Sequence, residues 1–430
     1  MKNKNIWNPL KDEEHYAKNM NKRVWVWRNM QVFDGIKTLP HKMIVAVENG
    51  KITHLEPEVK SYSPEDSRDI DHWAEDIQLA GHDGLITPGF IDCHTHIIYG
   101  GSRLKDFVLR SEGVSYQQIA QNGGGIISTL QDTRAASEKE LLEQSLPRLD
   151  ALISEGVTTV EIKSGYGLTL NDELKMLRVA RQMEKQRKVR IITTLLAAHA
   201  VPPEYRGKAD DYIDLICNEI IPQAVAENLV DMVDVFCEGI AFSPEQCEKV
   251  FKTAQKYNLP IKAHAEQLSN LGGAELAAKY GALSVDHIEY LDEAGIQAIK
   301  QVGTVAVLLP GAFYMLREKQ LPPIELLRSY KVPIALATDA NPGSSPIFMP
   351  SLIMNMACTL FGLTTQEALT GFTVNAAKAL GLDKQGLGHL QLGSPADFCV
   401  WNIKEAADLC YAIQPDRLKQ RVFAGVPDNV

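Results

Sequence analysis

The sequence predicts an α/β fold: a (β/α)8 TIM-like barrel plus a small β-sandwich domain formed by the N- and C-terminal segments. Three observations predict it. Eight short, nearly continuous apolar runs alternate with amphipathic helical segments between residues 85 and 339, the pattern of parallel strands covered on both faces. Strand-like alternation appears at both ends of the chain, and neither end holds enough strands for a sheet of its own. Polar residues of metal-binding type recur where the apolar runs stop.

Taken in order, residues 1–23 are polar, mixed in charge and without the apolar core of a signal peptide. Residues 24–33 alternate aromatic and β-branched side chains with polar ones, and 43–55 do the same about a hairpin turn at Glu48-Asn49-Gly50-Lys51. Residues 61–76 are charged and carry proline and serine, the composition of a surface excursion. Barrel strands are expected near 85–94, 157–163, 189–199, 233–238, 260–264, 283–287, 302–309 and 333–339. Helix starts are marked by capping boxes at Ser137 with Glu140, Ser243 with Gln246 and Thr364 with Glu367, the second with Pro244 at the first helical position. Apolar residues 352–363 suit either core or a subunit contact, and 389–401 return to strand character. The expected division is a barrel over 85–382 and one composite β-domain from 1–84 and 383–430.

The formal charge of −10 argues against general affinity for nucleic acid or acidic membrane surfaces. Seven cysteines without a Cys-x-x-Cys spacing suit a reducing compartment. The longest apolar run, 191–201, is too short to span a bilayer. A cytoplasmic protein is expected, with no nucleic-acid or membrane partner.

The chemistry centres on Thr87-Pro88-Gly89-Phe90-Ile91-Asp92-Cys93-His94-Thr95-His96. Alternation along a strand turns His94 and His96 to one side and Cys93 to the other. An isolated His-x-His has an ordinary alternative, two hydrogen-bonded histidines at a strand end. Here His199, Glu238, His264, His287 and Asp339 follow at the ends of later strands, and in a barrel those ends converge on one face. Three imidazoles and one carboxylate make a site for zinc or iron with a position left for water. Hydrolysis of an unactivated amide needs such a water and a group to move its proton, for which Asp339 and His287 are candidates. Arg103, just past the histidines, offers a guanidinium fork to a carboxylate. Tyr166 lies between glycines that let its phenol reach inward, and Asn341-Pro342-Gly343 is either a turn or a backbone anion site.

The His-x-His segment, with His264, His287 and Asp339, resembles the amidohydrolase superfamily, whose members also carry a composite terminal β-domain. Finer motifs resemble its imidazolonepropionase family: Gly100-Gly101-Ser102-Arg103, Glu161-Ile162-Lys163-Ser164-Gly165-Tyr166-Gly167, Ala197-Ala198-His199-Ala200, His264-Ala265-Glu266-Gln267 and Asp339-Ala340-Asn341-Pro342-Gly343-Ser344. The resemblance implies ring opening of 4-imidazolone-5-propanoate by water to N-formimidoyl-L-glutamate, in a homodimer with one Zn2+ or Fe3+ per subunit. It implies that His94, His96, His264 and Asp339 hold the metal and that His287 and Asp339 are catalytic. It further implies that Arg103, Tyr166, His199, Gln267, Asn341, Gly343 and Ser344 bind substrate or product. Gln267 stands where some members carry an acid, which leaves it hydrogen bonding rather than proton transfer. Glu238 is expected to be structural and Lys163 an ion-pair partner. The nearest alternative is another cyclic amidohydrolase, or an amidine deaminase, on the same scaffold. A scaffold without activity would be free to lose ligands, and here every ligand position is filled.

Overall fold

The structure, a computed structural model, describes residues 24–58, 77–114, 118 and 123–428. The polar stretch 1–23 and the surface excursion expected at 61–76 lie outside the described residues.

Strand β1 (Val24–Val32) pairs antiparallel with β2 (Met43–Glu48), which turns into β3 (Lys51–Pro57). The turn residues Asn49 and Gly50 have φ of 50° and 76°, the left-handed values that a two-residue hairpin demands and that Asn-Gly supplies. The start of β1 also pairs in parallel with β4 (Ile77–His82), and its end with β5 (Leu85–Pro88). From β5 the sheet continues antiparallel through β14 (Phe398–Trp401), β15 (Leu418–Phe423) and β16 (Val426–Asp428). Both ends of the chain therefore build one eight-stranded composite sheet. Its halves share a core that includes Trp27, Val45, Ile86, Phe398 and Val422. Trp27 meets Phe398 edge-on, with centroids 4.8 Å apart.

The second sheet is the barrel: β6 (Phe90–Asp92), β7 (Val157–Lys163), β8 (Arg190–Ala198), β9 (Met232–Cys237), β10 (Lys262–Ala265), β11 (Ser284–His287), β12 (Val305–Leu308) and β13 (Ile334–Leu336), in sequence order. It closes through a parallel bridge between Thr95 and Ala340. There Asp339 N donates to His94 O at 3.0 Å and His96 N to Ala340 O at 2.9 Å. Each of the eight expected runs contributes one barrel strand. Ile91 and Cys93 pack in one apolar cluster with Ala376, Ala377 and Ala379 of the helix Val374–Ala379.

Three differences from the sequence reading have local causes. The run at 85–94 is two strands, because the chain leaves the composite sheet at Pro88 and enters the barrel at Phe90. Gly89 makes the crossing, and a Cβ there would lie 2.3 Å from the Thr158 side chain. The run at 302–309 starts late, because Val302 ends a helix that Gly303 caps at φ 79°. The strand character at 389–401 shrinks to β14, behind Gly393 and Pro395. The three capping boxes form as expected. The apolar stretch at 352–363 is mostly core: the helix Pro350–Phe361 buries Ile353, Met354, Met356, Ala357 and Phe361. No helix among the described residues is long and apolar enough to cross a membrane.

Candidate metal centre and substrate site

His94 and His96 follow β6, His264 lies on β10, and Asp339 stands just past β13. All four are buried. His94 Nε2 and His96 Nε2 are 3.2 Å apart, and Asp339 Oδ1 lies 3.4 and 3.5 Å from them. The three histidines each bring one ring nitrogen within 4.8 Å of the others. Bonds of about 2.0–2.2 Å to a tetrahedral ion put neighbouring donors roughly 3.3–3.6 Å apart. The donor set and its spacing therefore fit one ion, and three nitrogens with one oxygen suit zinc or iron.

Carboxylates hold these histidines from behind. Asp286 Oδ2 lies 2.6 Å from His94 Nδ1, and Asp234 Oδ2 lies 3.1 Å from His264 Nδ1. The bond to Asp286 occupies His94 Nδ1 and leaves its Nε2 for a metal. Beneath them Lys163 Nζ, fully buried, is 2.7 Å from Glu161 and 2.8 Å from Asp234. Lys262 Nζ is 3.3 Å from Asp286 and donates to Cys93 O at 2.5 Å. Burial alone would lower the Lys163 pKa, but Asp234, Glu161 and Asp286 outweigh it and the net shift is upward. Lys163 is thus an ion-pair partner, as its sequence position suggested.

Burial, and after it the surrounding imidazoles and lysines, holds His94, His96 and His287 well below the ordinary histidine value. They are neutral, the form that ligates metal. Burial pushes Asp339 well above the ordinary carboxylate value, a shift that a bound cation opposes. The His287 ring stands 5.3 Å from that of His264 and 5.8 Å from that of His94. Three residues here hold left-handed backbone: His287, Ile288 and Asp339 have φ of 80°, 67° and 49°. Each costs about 1–3 kcal/mol and persists only where the surroundings enforce it.

His199 and Tyr166 flank the His96 side of this cluster. The His199 ring stacks on His96 at 5.5 Å, and its Nδ1 is 3.0 Å from Gly165 O. Tyr166 lies 5.9 Å from His96 and 5.5 Å from His199. Arg103 passes over Gly343, where a Cβ would come within 3.1 Å of its Nη1; its Nε pairs with Asp106. Asn341 Oδ1 accepts the N–H groups of Gly343 at 2.8 Å and Ser344 at 2.7 Å. Its Nδ2 donates to Asp339 O at 2.7 Å and Ser344 Oγ at 2.9 Å. The donors that the sequence offered to a carboxylate are thus engaged inside their own loop, which sets Gly343 beside Arg103. Gln267 is half-buried in the loop after β10. Glu238 pins that loop, accepting from Leu268 N at 2.8 Å and Ser269 Oγ at 2.7 Å. That anchoring is the structural role expected for it.

Sequence reasoning passed over Asp234, Asp286 and Lys262. Their signal was present: a charged residue inside a run buried on both faces requires a partner.

Residues 85–428 match the model described as the amidohydrolase family. The chain is 60% identical over 401 residues to an imidazolonepropionase of Ectopseudomonas mendocina, covering 93% of this chain and 96% of that one. It is 59% identical over 354 residues to an imidazolonepropionase of Vibrio parahaemolyticus, covering 82% and 84%. Among solved structures, the ochratoxinase of A. niger superposes with a TM-score of 0.68 at 16% identity, over 94% of this chain and 95% of that one. That likeness concerns the fold.

Proposed function

The chain belongs to the amidohydrolase family and, within it, to the imidazolonepropionases, and from that premise we propose how its residues work. The enzyme hydrolyses 4-imidazolone-5-propanoate to N-formimidoyl-L-glutamate, a step of histidine degradation, and it is metal-dependent. One observation carries the assignment of residues: His94, His96, His264 and Asp339, from three separate stretches of chain, converge at the barrel mouth.

These four residues would hold one Zn2+ or Fe3+ per subunit. When bound, the ion would lower the pKa of a water toward ~7 and polarise the ring carbonyl. Asp339 takes a proton from the attacking water and passes it to the ring nitrogen as the C–N bond breaks. Neutral His287 assists that proton removal and offers an N–H to the oxyanion. Arg103 pairs with the propanoate carboxylate, and the Asn341-Gly343-Ser344 loop shapes the space beside it. Tyr166 and His199 pack against the ring, and Gln267 hydrogen-bonds it. A neutral cyclic amidine has no use for Arg103, which favours this substrate over a deaminase reading. The net charge of −10 supports an enzyme without nucleic-acid or membrane partners. The seven free thiols support a cytoplasmic location. A homodimer rests on the family resemblance.

Incubation with imidazolone propanoate, following loss of its ultraviolet absorbance, tests the reading. Turnover should stop with a chelator and return on adding zinc or iron. Protein loaded with one ion per chain that leaves the absorbance unchanged would overturn it.

A further inference from the structure

Glu173 takes no part in the chemistry above. It lies in the first turn of the helix Leu170–Gln186 and is fully buried. Its carboxylate accepts N–H bonds from Gly165 at 3.1 Å, Gly167 at 2.9 Å and Leu168 at 2.7 Å. Those amides belong to the loop after β7 that carries Tyr166. Gly165 and Leu168 hold φ of 110° and 54°, and such turns aim successive N–H groups at one point. The helix start does not depend on Glu173, because the Thr169 side chain already accepts from Asp172 N. Gly165 faces two ways. Its N–H is held by Glu173, and its carbonyl takes His199 Nδ1 at 3.0 Å, which leaves His199 Nε2 unprotonated. One buried carboxylate thus fixes the backbone behind two side chains of the substrate site. Hydrogen bonds to an ionised group are roughly twice as strong as neutral ones, and a buried charge is retained only where such bonds offset its desolvation.

We infer that Glu173 is a positioning residue for substrate binding, acting through the 164–168 loop on Tyr166 and His199. The inference rests on the reading that those two side chains contact the substrate. Glu173→Gln keeps the size of the side chain but sets an NH2 group against backbone donors. It should raise KM about tenfold, with a smaller effect on kcat and unchanged metal content. A purely structural role would lower the unfolding temperature and leave KM alone. Tyr166→Phe separates the two claims. If it raises KM while Glu173→Gln does not, the inference falls and the substrate reading stands. If Tyr166→Phe has wild-type KM, the substrate reading falls and takes the inference with it. The double variant should be no worse than the worse single one, and additive losses would overturn the coupling. Should Glu173→Gln not fold, Gly167→Ala carries the test. Its Cβ would lie 2.5 Å from the Asp172 backbone and 2.6 Å from Glu173 N, pushing the loop off the helix. A raised KM is expected there as well, and a normal one would overturn the inference.

Discussion

At the mouth of the barrel, His287, Ile288 and Asp339 hold left-handed backbone. Buried His96 Nδ1, His287 Nδ1 and Glu289 Oε2 find no hydrogen-bond partner among the described residues. At the opposite end, where the strands begin, the composite sheet seals the barrel with made contacts. Arg190 Nη1 lies 3.0 Å from Asp397 and donates to Thr159 Oγ1 at 2.9 Å. Arg421 donates to Val157 O at 3.1 Å, and Trp401 Nε1 to Thr87 Oγ1 at 2.8 Å. Both ends cap the same eight strands. The difference teaches that the unpartnered groups at the mouth are imidazoles and a carboxylate able to meet substrate, whereas at the floor Asp397 Oδ2 and Arg421 Nε are left over within ion pairs that tie the sheet to the barrel.

Substitutions at the two ends should therefore fail in different ways. Asp339→Ala should cost most, about 10⁴-fold in kcat, with loss of metal by elemental analysis. Far-UV circular dichroism should stay native, and an unfolded variant would break the comparison. His287→Ala should lower kcat by about 10³-fold while metal content stays near wild type; unchanged turnover would remove His287 from the mechanism. Arg190→Ala, at the floor, should do the converse. Breaking its buried pair should cost about 3 kcal/mol of stability, read as a lower unfolding midpoint, with kcat and KM of the folded enzyme within about twofold of normal. A large kinetic effect there would show that the two ends are not independent. Arg103→Ala should raise KM about 10²-fold with little change in kcat. Normal saturation by substrate would reject its role as carboxylate partner.

The barrel was legible because strands covered on both faces must be apolar throughout, and such runs stand out between helices with capping boxes. The candidate site was legible because His94, His96, His264, His287 and Asp339 interrupt those runs at their ends. Three strands escaped. Strand β4 is half-exposed and contains Gly81, β15 carries the polar run Lys419-Gln420-Arg421, and β16 is three residues around Pro427. Each is a strand only because of its pairing partner. The split at Gly89 was hidden for the same reason, since β5 pairs with β14, more than three hundred residues away. The Asn341 loop shows a different limit. Asparagine before a turn satisfies nearby N–H groups by itself, so a motif cannot tell whether those donors face a ligand or their own side chain.

The single-residue step at Gly89 has a mechanical consequence. With β5 ending at Pro88 and β6 starting at Phe90, the terminal sheet acts as a ruler for the first two ligands. A one-residue insertion or deletion between them would shift His94 and His96 by roughly 3.3 Å, more than a metal–nitrogen bond length. Grafting this barrel without its terminal strands would discard the gauge that sets that distance, so barrel and sheet have to be transplanted together.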